Sequence, residues 1–208
     1  MNTEQKSSTT DLAESQSLKK KIVEAASKLF EKQGLYETSV AEIADAAGIS
    51  APVTYHYVQR KSDIMLLIME DFTDHFNEMI IRDINELDDP GQKLRRAMEI
   101  FFNLVDEKKS KVILLYRESR TLDPEGRRRV MAAEATHVEI FDQILREGIA
   151  RGVFRPLDTN LAAYDILMSG HTWALKHWHF KNRFNLEAYL KEQTEFFLKA
   201  IRLEHRDL

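Results

Sequence analysis

Apolar residues recur at helical spacing over most of the chain, and one short stretch combines this spacing with turn signals. Between residues 38 and 57, four apolar side chains form a stripe along one helical face: Val40, Ile43, Ala44 and Ala47. Gly48 follows, where the C-terminus of a helix favours a residue that tolerates positive φ. Ser50 suits the N-cap of a second helix, and Pro52 falls in its first turn, where a missing N–H costs little. The pattern predicts a helix, a sharp turn and a second helix.

The second short helix is predicted to have an inward and an outward face. Val53 and Tyr57 are four residues apart and are predicted to face the first helix. The outward residues are then short or polar side chains that can contact a base edge or a phosphate: Ala51, Thr54, Tyr55 and His56. A helix-turn-helix places its second helix in the DNA major groove. The alternative is a pair of packed core helices joined by an ordinary glycine turn.

Helical segments are also predicted on both sides of this stretch. Residues 1–17 are rich in Ser, Thr, Gln and Glu and are predicted to form a mobile tail. Residues 18–33 form an amphipathic pattern that ends at Gly34 and would support the helix-turn-helix. A longer helix is predicted from Asp63 to about Asp83. Because it leads from the helix-turn-helix into the rest of the chain, it is the predicted mechanical link.

The remainder of the chain has only helical periodicity. A turn at Asp88-Asp89-Pro90-Gly91 separates the linking helix from the segments that follow. Five further helices are predicted there, over residues 94–105, 112–122, 124–151, 159–180 and 186–203. No segment alternates as a strand would, and there is no internal repeat. The predicted fold is all-α, with about nine helices.

The last two predicted helices are unusually apolar for elements at the end of a chain. The apolar and aromatic residues of the first of them cover more than one helical face: Leu161, Tyr164, Leu167, Met168, His171, Ala174, Leu175 and Trp178. One face can pack on the core, and the other needs a partner. We therefore predict a homodimer through the last two helices, which would set two reading helices about 34–36 Å apart, one DNA turn. The alternative is a helix that is buried on all sides within one chain.

Composition narrows the class of protein. The chain has 208 residues, of which 43% are hydrophobic and 31% charged, as in a globular protein with a substantial core. No apolar run approaches the roughly 18–20 residues that span a bilayer, and the N-terminus lacks the apolar region of a secretory signal. The sequence contains no cysteine, which excludes disulfides and thiolate metal sites. We expect a cytoplasmic protein without a membrane partner.

The charge balance alone does not indicate DNA binding. The net charge is −4, and residues 1–63 carry about as many acidic as basic side chains. Phosphate neutralisation depends on where cations lie rather than on their total number. Lys19, Lys20 and Lys21 open the helix before the helix-turn-helix, and Arg60-Lys61 follow it. The three lysines fit either phosphate contacts or a solvated helix start.

Several blocks around the turn together resemble the TetR family of bacterial transcriptional regulators. The blocks are Gly34-Leu35-Tyr36-Glu37-Thr38-Ser39-Val40, Glu42-Ile43-Ala44, Ala47-Gly48-Ile49-Ser50, Tyr55-His56-Tyr57 and Lys61-Ser62-Asp63. They follow the family pattern in both spacing and identity over residues 18–64. Two positions depart from it, because Thr54 stands where the family usually has an apolar residue and Val58 where it usually has Phe.

The resemblance implies a function and a division of the chain. It implies a DNA-binding domain over residues 18–62 and a ligand-binding and dimerisation domain over 63–208. In the DNA-binding domain we expect Thr38, Ser39, Tyr55 and Lys61 to hold phosphates, and Ala51, Pro52, Thr54 and His56 to face bases. Ser50 is also expected to contact DNA. The expected function is a repressor of a pseudo-palindromic operator that a small-molecule effector releases.

The resemblance also implies an effector site among the later helices. A ligand must bind the non-operator form more tightly if it is to release DNA. Aromatic and apolar candidates for the lining are Phe101, Phe102, Val105, Tyr116, Phe141, Met168, His171 and Trp178. Arg117, Arg120 and the run Arg127-Arg128-Arg129 could hold an anionic group at its mouth, which would suit a fatty acyl-CoA. Alternatively, these arginines pair with nearby glutamates on solvated faces, and His171 is a hydrogen-bonded core residue.

One pattern raises the possibility of an enzyme. Glu134 and His137 have the E-x-x-H spacing of helical di-iron sites, which need a second such motif and bridging glutamates. The sequence has no second copy, no Gly-rich phosphate loop and no nucleophile elbow. We therefore expect no catalytic residues, metal or cofactor. The alternative function is a helical ligand carrier or metal-carboxylate enzyme in which the helix-turn-helix is merely structural.

Overall fold

The described part of the chain is helical, as predicted. The computed structural model describes the backbone over residues 3–203 and the side chains over residues 15–203, apart from Lys61 and Thr121. The helices are α1 (Thr3–Gln33), α2 (Val40–Ala47), α3 (Ala51–Tyr57), α4 (Lys61–Ile84), α5 (Pro90–Glu107), α6 (Lys109–Glu118), α7 (Pro124–Ala150), α8 (Thr159–Leu175), α9 (His177–Phe180) and α10 (Leu186–Ile201), with a 3-10 turn at Ser119–Thr121. Within residues 3–203 the only β-type pairing is an isolated bridge between Phe154 and Arg202.

Several helix boundaries differ from the sequence-based expectation: α5 begins at Pro90 rather than at residue 94, within the predicted turn, and α6 spans Lys109–Glu118 rather than 112–122. Two other differences are larger. The segment 159–180, predicted as one helix, divides into α8 and α9 because Lys176 leaves the helical conformation at φ −115° and ψ 23°. The first helix begins at Thr3 rather than at Leu18. The first 33 residues contain neither glycine nor proline, so no residue type interrupts the helical backbone there. Residues 1–2 lie outside the described part, and the mobility of residues 1–17 stays a prediction.

By their contacts, the residues form two compact units. The first unit contains the residues up to Asp71 together with Leu114–Val130, and the second contains Phe72–Ile113 and the residues from Met131 onward. The predicted division at residue 62 is therefore not where contacts separate, because the start of α4 and the segment 114–130 pack within the first unit. The assignment of function to residues 18–62 and 63–208 stays a prediction.

The first unit is built around α1 and the helix-turn-helix. Helix α2 contacts both α1 and α3. The buried side chains of α1, α2 and α4 supply its apolar core, including Ile22, Ala26, Phe30, Ile43, Ala44, Ile64 and Ile68. Each of these residues lies on the apolar stripe of its helix, so the periodicity of the sequence is sufficient to place them. No helix in the described residues is long and apolar enough to cross a bilayer.

The second unit has a core rich in aromatic rings. Its fully buried members include Phe76, Phe101, Phe102, Phe141 and Phe154. Helix α5 packs on α8 and α10. Gly170 permits the close approach of α8 to α5, since a Cβ there would lie 2.7 Å from Cε1 of Phe101. This close packing places Phe101 of α5 directly against α8.

Candidate functional site

Helix α2 of the helix-turn-helix is fixed by caps at both of its ends. The Ser39 hydroxyl accepts a hydrogen bond from the Glu42 amide at 3.1 Å, and the Glu42 carboxylate accepts one from the Ser39 amide at 2.7 Å. This capping box starts α2. Gly48 ends it in the left-handed conformation at φ 65°, where its amide and that of Ile49 bond back to α2 carbonyls. The chain direction between α2 and α3 is therefore set by local hydrogen bonds.

Thr54 of α3 and Val58 directly after the helix are buried, whereas Val53 is exposed and Tyr57 is half-buried. Thr54 and Val58 are each 0% exposed, whereas Val53 is 39% exposed. The expectation that Thr54 faces bases is therefore wrong. Its hydroxyl donates to the Ser50 carbonyl at 3.2 Å, which satisfies the polar group without water. The polarity of threonine suggested an exposed position, but this bond within the helix allows burial.

The opposite face of α3 is exposed. Its exposed residues are Ala51, Pro52, Val53, Tyr55 and His56. Tyr55 is 50% exposed. Ser50 is also exposed, and its side chain makes no capping hydrogen bond to α3. The helix therefore presents a continuous surface of small, apolar and polar groups, with Val53 in the place predicted for Thr54.

The residues expected to hold phosphates differ in exposure and in hydrogen bonding. Thr38 is 1% exposed, and its hydroxyl donates to the Gly34 carbonyl at 2.8 Å, so a phosphate contact by this side chain is wrong. The Ser39 side chain is exposed, although its hydroxyl also donates to the Glu42 carboxylate at 2.8 Å. The side chain of Lys61 lies outside the described residues, and its phosphate contact stays a prediction. Tyr55 and Ser50 remain accessible.

The predicted apolar lining residues meet in the second unit. Phe101, Phe102, Val105 and Phe141 are fully buried in its core. Met168 packs against them, and His171 is 7% exposed. These residues are therefore close together as predicted, while their role in ligand binding stays a prediction.

A second imidazole, His137, lies in the same aromatic cluster. Its ring centroid is 5.3 Å from that of Phe72 and 5.5 Å from that of Phe76. Its Nε2 shares a hydrogen bond of 2.9 Å with Oγ1 of Thr73. Burial lowers the pKa of His137 to about 4. Burial, followed by the nearby His137, lowers the pKa of His171 to about 3. Both imidazoles are therefore neutral at pH 7.

One carboxylate approaches this pair. Oε1 of Glu134 lies 4.0 Å from Nδ1 of His171, and burial raises the pKa of Glu134. The cluster of Thr73, Glu134, His137 and His171 thus places hydrogen-bonding groups among apolar rings. We call these four residues the polar cluster.

Comparison with known proteins identifies the family. The family model for "Bacterial regulatory proteins, tetR family" matches residues 22–68, and that for "Tetracyclin repressor-like, C-terminal domain" matches residues 87–198. The chain belongs to the TetR family of transcriptional regulators. It is 33% identical over 171 residues to the HTH-type transcriptional regulator HbdR of Aromatoleum sp. (strain CIB), which covers 82% of this chain and 75% of HbdR.

Solved TetR-family structures have the same fold. The regulator PfmR from Thermus thermophilus is 28% identical, with a TM-score of 0.69 over 86% of this chain and 97% of PfmR. AibR, in complex with isovaleryl coenzyme A and operator DNA, is 26% identical, with a TM-score of 0.68 over 86% of this chain and 97% of AibR. TetR-family regulators bind operator DNA as homodimers. The predicted family and fold, and the general function of a DNA-binding regulator, are confirmed.

Membership of the TetR family explains why the inward face of α3 was predicted incorrectly. The family usually has an apolar residue where this chain has Thr54, which is the position expected of a buried side chain. The departure from the family pattern was therefore the signal that Thr54 points inward and Val53 outward. A helix of seven residues is too short for its apolar periodicity to decide between these two faces.

Four of the predicted ligand residues are not part of the aromatic cluster. Trp178 is 67% exposed on α9, so its place in a buried lining is wrong; the helix break at Lys176 directs it out of the core. Tyr116, Arg117 and Arg120 belong to the first unit. Arg117 donates to the Glu118 carboxylate at 2.6 Å, which is the alternative pairing that the sequence allowed. Binding of an anionic group by the other arginines stays a prediction.

The E-x-x-H spacing of this TetR-family chain has a structural role. His137 bonds to Thr73 rather than to a second carboxylate. Among the side chains that the structure describes, no three His, Cys, Asp or Glu residues are grouped so as to hold a metal ion. The TetR family consists of transcriptional regulators rather than enzymes.

Proposed function

We propose that this TetR-family protein represses transcription by binding a pseudo-palindromic operator through the exposed face of α3. An acyl-CoA bound in the second unit would release it. The observation that carries the proposal is the orientation of α3. Thr54 and Val58 anchor one side of the helix, and the opposite side is exposed. Such a helix can enter the major groove without rearrangement.

The candidate DNA contacts in and around α3 divide by chemistry into two sets. Ala51, Pro52, Val53 and His56 are assigned to base edges, where apolar groups can contact a thymine methyl and an imidazole can hydrogen-bond. Ser50, Tyr55 and Lys61 are assigned to phosphates, which fix the register of the helix but carry no sequence information.

The effector proposal rests on the polar cluster. A ligand that enters among Phe101, Phe141 and Met168 would meet apolar rings along most of its length and neutral imidazoles at one point. An acyl thioester has this combination, since an apolar chain ends in a carbonyl that accepts a hydrogen bond. The isovaleryl coenzyme A bound to the related AibR supports the same class of compound. A neutral imidazole can donate to the carbonyl without the cost of burying a charge.

A mobility-shift titration tests this function. The duplex would contain the DNA that flanks the protein's own gene, with a shuffled duplex of equal length as the control. We expect a specific complex that isovaleryl-CoA or a longer acyl-CoA dissociates and that free coenzyme A leaves intact. Binding of both duplexes with equal affinity would contradict the operator proposal. A specific complex that no acyl-CoA affects would contradict only the effector.

The proposed dimer surface is formed by exposed apolar side chains of α8 and α10. Leu161 is 62% exposed, Tyr164 43% and Phe196 66%. Large apolar groups that cluster on a surface commonly mark a protein interface. This supports the homodimer through the last helices of the chain.

Replacing the apolar groups of this surface by charge is expected to separate the subunits. In the double variant Leu161→Glu and Phe196→Glu, each subunit would bury two unpaired carboxylates at the interface, which is strongly unfavourable. Sedimentation velocity should show monomers where the wild type shows dimers. Ile81→Glu is the matched control, because Ile81 is 64% exposed on α4 and lies outside the proposed surface. A dimer that survives the double variant but not Ile81→Glu would move the interface to α4.

A further inference from the structure

The segment Leu114–Val130 joins α6 to α7 and packs within the first unit, beside the helix-turn-helix. We call it the α6–α7 corner. We propose that Asp123 and Gly126 in this corner are positioning residues for DNA recognition. They hold the first turn of α7 against the junction of α3 and α4 and thereby fix the recognition helix. Neither residue is expected to contact DNA.

Asp123 links two structural elements with its two carboxylate oxygens. Oδ1 accepts a hydrogen bond from the Gly126 amide at 2.6 Å and caps α7. Oδ2 lies 3.3 Å from Nη1 of Arg60, which stands between the end of α3 and the start of α4. The carboxylate therefore ties the first turn of α7 to the junction that orients α3.

The junction itself is held by a second carboxylate. Oδ2 of Asp63 accepts hydrogen bonds from the amides of Gln59 and Arg60 at 2.9 and 2.7 Å. The backbone that carries the Arg60 side chain is thus fixed locally by Asp63. A displacement of Asp123 would act on a rigid junction rather than on a loose loop.

Gly126 brings α7 into direct contact with α4. A Cβ at this position would lie 2.9 Å from Cβ of Ser62, a distance that real Cβ atoms essentially never show. Glycine is less favourable than alanine inside a helix, so its presence in the first turn of α7 has a packing reason here. The first turns of α7 and α4 therefore lie too close for a Cβ at position 126 to fit beside the Ser62 side chain.

One further contact ties the corner to α1, and another is internal to the corner. Nη2 of Arg117 lies 3.4 Å from the carbonyl of Phe30 near the end of α1, and Nη2 of Arg127 donates to the Arg120 carbonyl at 2.9 Å. Arg129 also lines a cavity of about 350 Å³ together with His56 of α3. The corner thus reaches α1, the start of α4 and the surroundings of α3.

The Asp123–Arg60 pair is not a significant source of stability. The Arg60 side chain is 67% exposed and that of Asp123 is 42% exposed, and ion pairs of this kind contribute little. Its effect is geometric. Helix α7 continues without a break from Pro124 to Ala150, so a movement of α7 can reach Ser62 and Arg60 directly, without passing along α4. If an effector moves α7, its signal would reach α3 by this route. Only this transmission of an effector signal rests on the proposed function.

Two substitutions test the Asp123–Arg60 ion pair and the Gly126–Ser62 packing separately. Asp123→Asn keeps an oxygen to cap α7 but removes the charge that pairs with Arg60. Gly126→Ala inserts the methyl group that meets Ser62. We expect each to raise the Kd for a duplex of the DNA flanking the protein's own gene by roughly 3- to 30-fold. The Kd for a shuffled duplex should change by less than about twofold, because phosphate contacts are untouched.

Matched controls distinguish positioning from charge and from folding. Glu125→Gln makes the same charge change as Asp123→Asn at the exposed neighbouring position and should leave both Kd values unchanged. Adding Ser62→Gly to Gly126→Ala removes the closest atom, the Ser62 Cβ, and should return the specific Kd towards that of Ser62→Gly alone. Circular dichroism and thermal unfolding would check that each variant is folded.

The ratio of specific to shuffled affinity decides the result. The proposal is overturned if Asp123→Asn and Gly126→Ala retain the wild-type ratio. It is also overturned if Asp123→Asn strengthens binding to both duplexes alike, since Asp123 would then only neutralise Arg60. A wild-type protein that binds neither duplex would instead refute the proposed function, before any variant is compared.

Discussion

Acidification from pH 6.5 to pH 4 is expected to lower the free energy of unfolding by about 3 kcal/mol for each of two buried histidines. Burial lowers the pKa of His137 to about 4 and that of His171 to about 3. In the unfolded chain both imidazoles would titrate near pH 6.5. The unfolded state therefore takes up protons that the folded state excludes. The stability from the two groups is complete above pH 6.5 and is lost as the pH falls towards 4 for His137 and 3 for His171.

The groups around these imidazoles support this direction. His137 faces Thr73 and the rings of Phe72, Phe76 and Phe101, none of which carries a charge. His171 faces Phe101 and Glu134. Because burial raises the pKa of Glu134, the folded state binds this proton at a higher pH than the unfolded chain does. Glu134 therefore opposes the loss as the pH falls through its folded pKa, and this contribution is complete below its unfolded pKa.

Urea unfolding followed by circular dichroism at half-unit steps of pH would measure the effect. His137→Gln keeps a hydrogen-bonding group near Thr73 but does not titrate, so it should flatten the dependence between pH 6.5 and 4 by about half. His179→Gln, at an exposed position, is the control and should leave the curve unchanged. Identical curves for His137→Gln and the wild type would show that His137 is not protonated on unfolding.

The sequence predicted helices well where local signals coincide. At α2, the stripe of Ile43 and Ala44 and the left-handed Gly48 were both evident in the sequence, and the structure adds the capping pair of Ser39 and Glu42. Each of these effects acts within a few residues, so it can be inferred without knowledge of the fold. The same holds for the caps that start α5 at Asp89 and α8 at Asp158.

The faces of the helices were harder to predict than their existence. Thr54 has the polarity of a surface residue, and only the i−4 hydrogen bond to Ser50 makes its burial favourable. Trp178 has the opposite character, since it is apolar but exposed on α9. In both cases the environment is set by a neighbouring element rather than by the side chain.

Contacts distant in sequence could not be predicted from patterns. Asp123 and Arg60 are 63 residues apart, and nothing in either local sequence indicates that they meet. The same applies to Thr73 and His137, which are 64 residues apart. The E-x-x-H spacing pointed to metal chemistry, whereas the tertiary structure supplies a threonine hydroxyl as the partner. The candidate site therefore depends on packing that local propensity does not encode.

Replacing His56 by alanine is expected to weaken operator binding by about 2–6 kcal/mol. A lost base contact costs ~1–3 kcal/mol, and the two-fold symmetry of a homodimer removes it from both half-sites. Binding to a shuffled duplex should change little, because phosphate contacts supply most of the non-specific affinity. Fluorescence anisotropy at constant salt would give both Kd values, and substitution of each operator base pair in turn would locate the contact.

Thr54→Val is the matched control for His56→Ala on the same helix. The substitution keeps the shape of the side chain and removes a hydroxyl that bonds only within α3, to the Ser50 carbonyl. Since this side chain is fully buried and cannot reach a base, operator affinity and sequence preference should stay within about twofold of the wild type. A change of sequence preference by Thr54→Val, with none by His56→Ala, would mean that α3 meets DNA with the face that the structure buries. Because Val53 and His56 share the exposed face, the base pairs that respond to His56→Ala should adjoin those that respond to Val53→Ala.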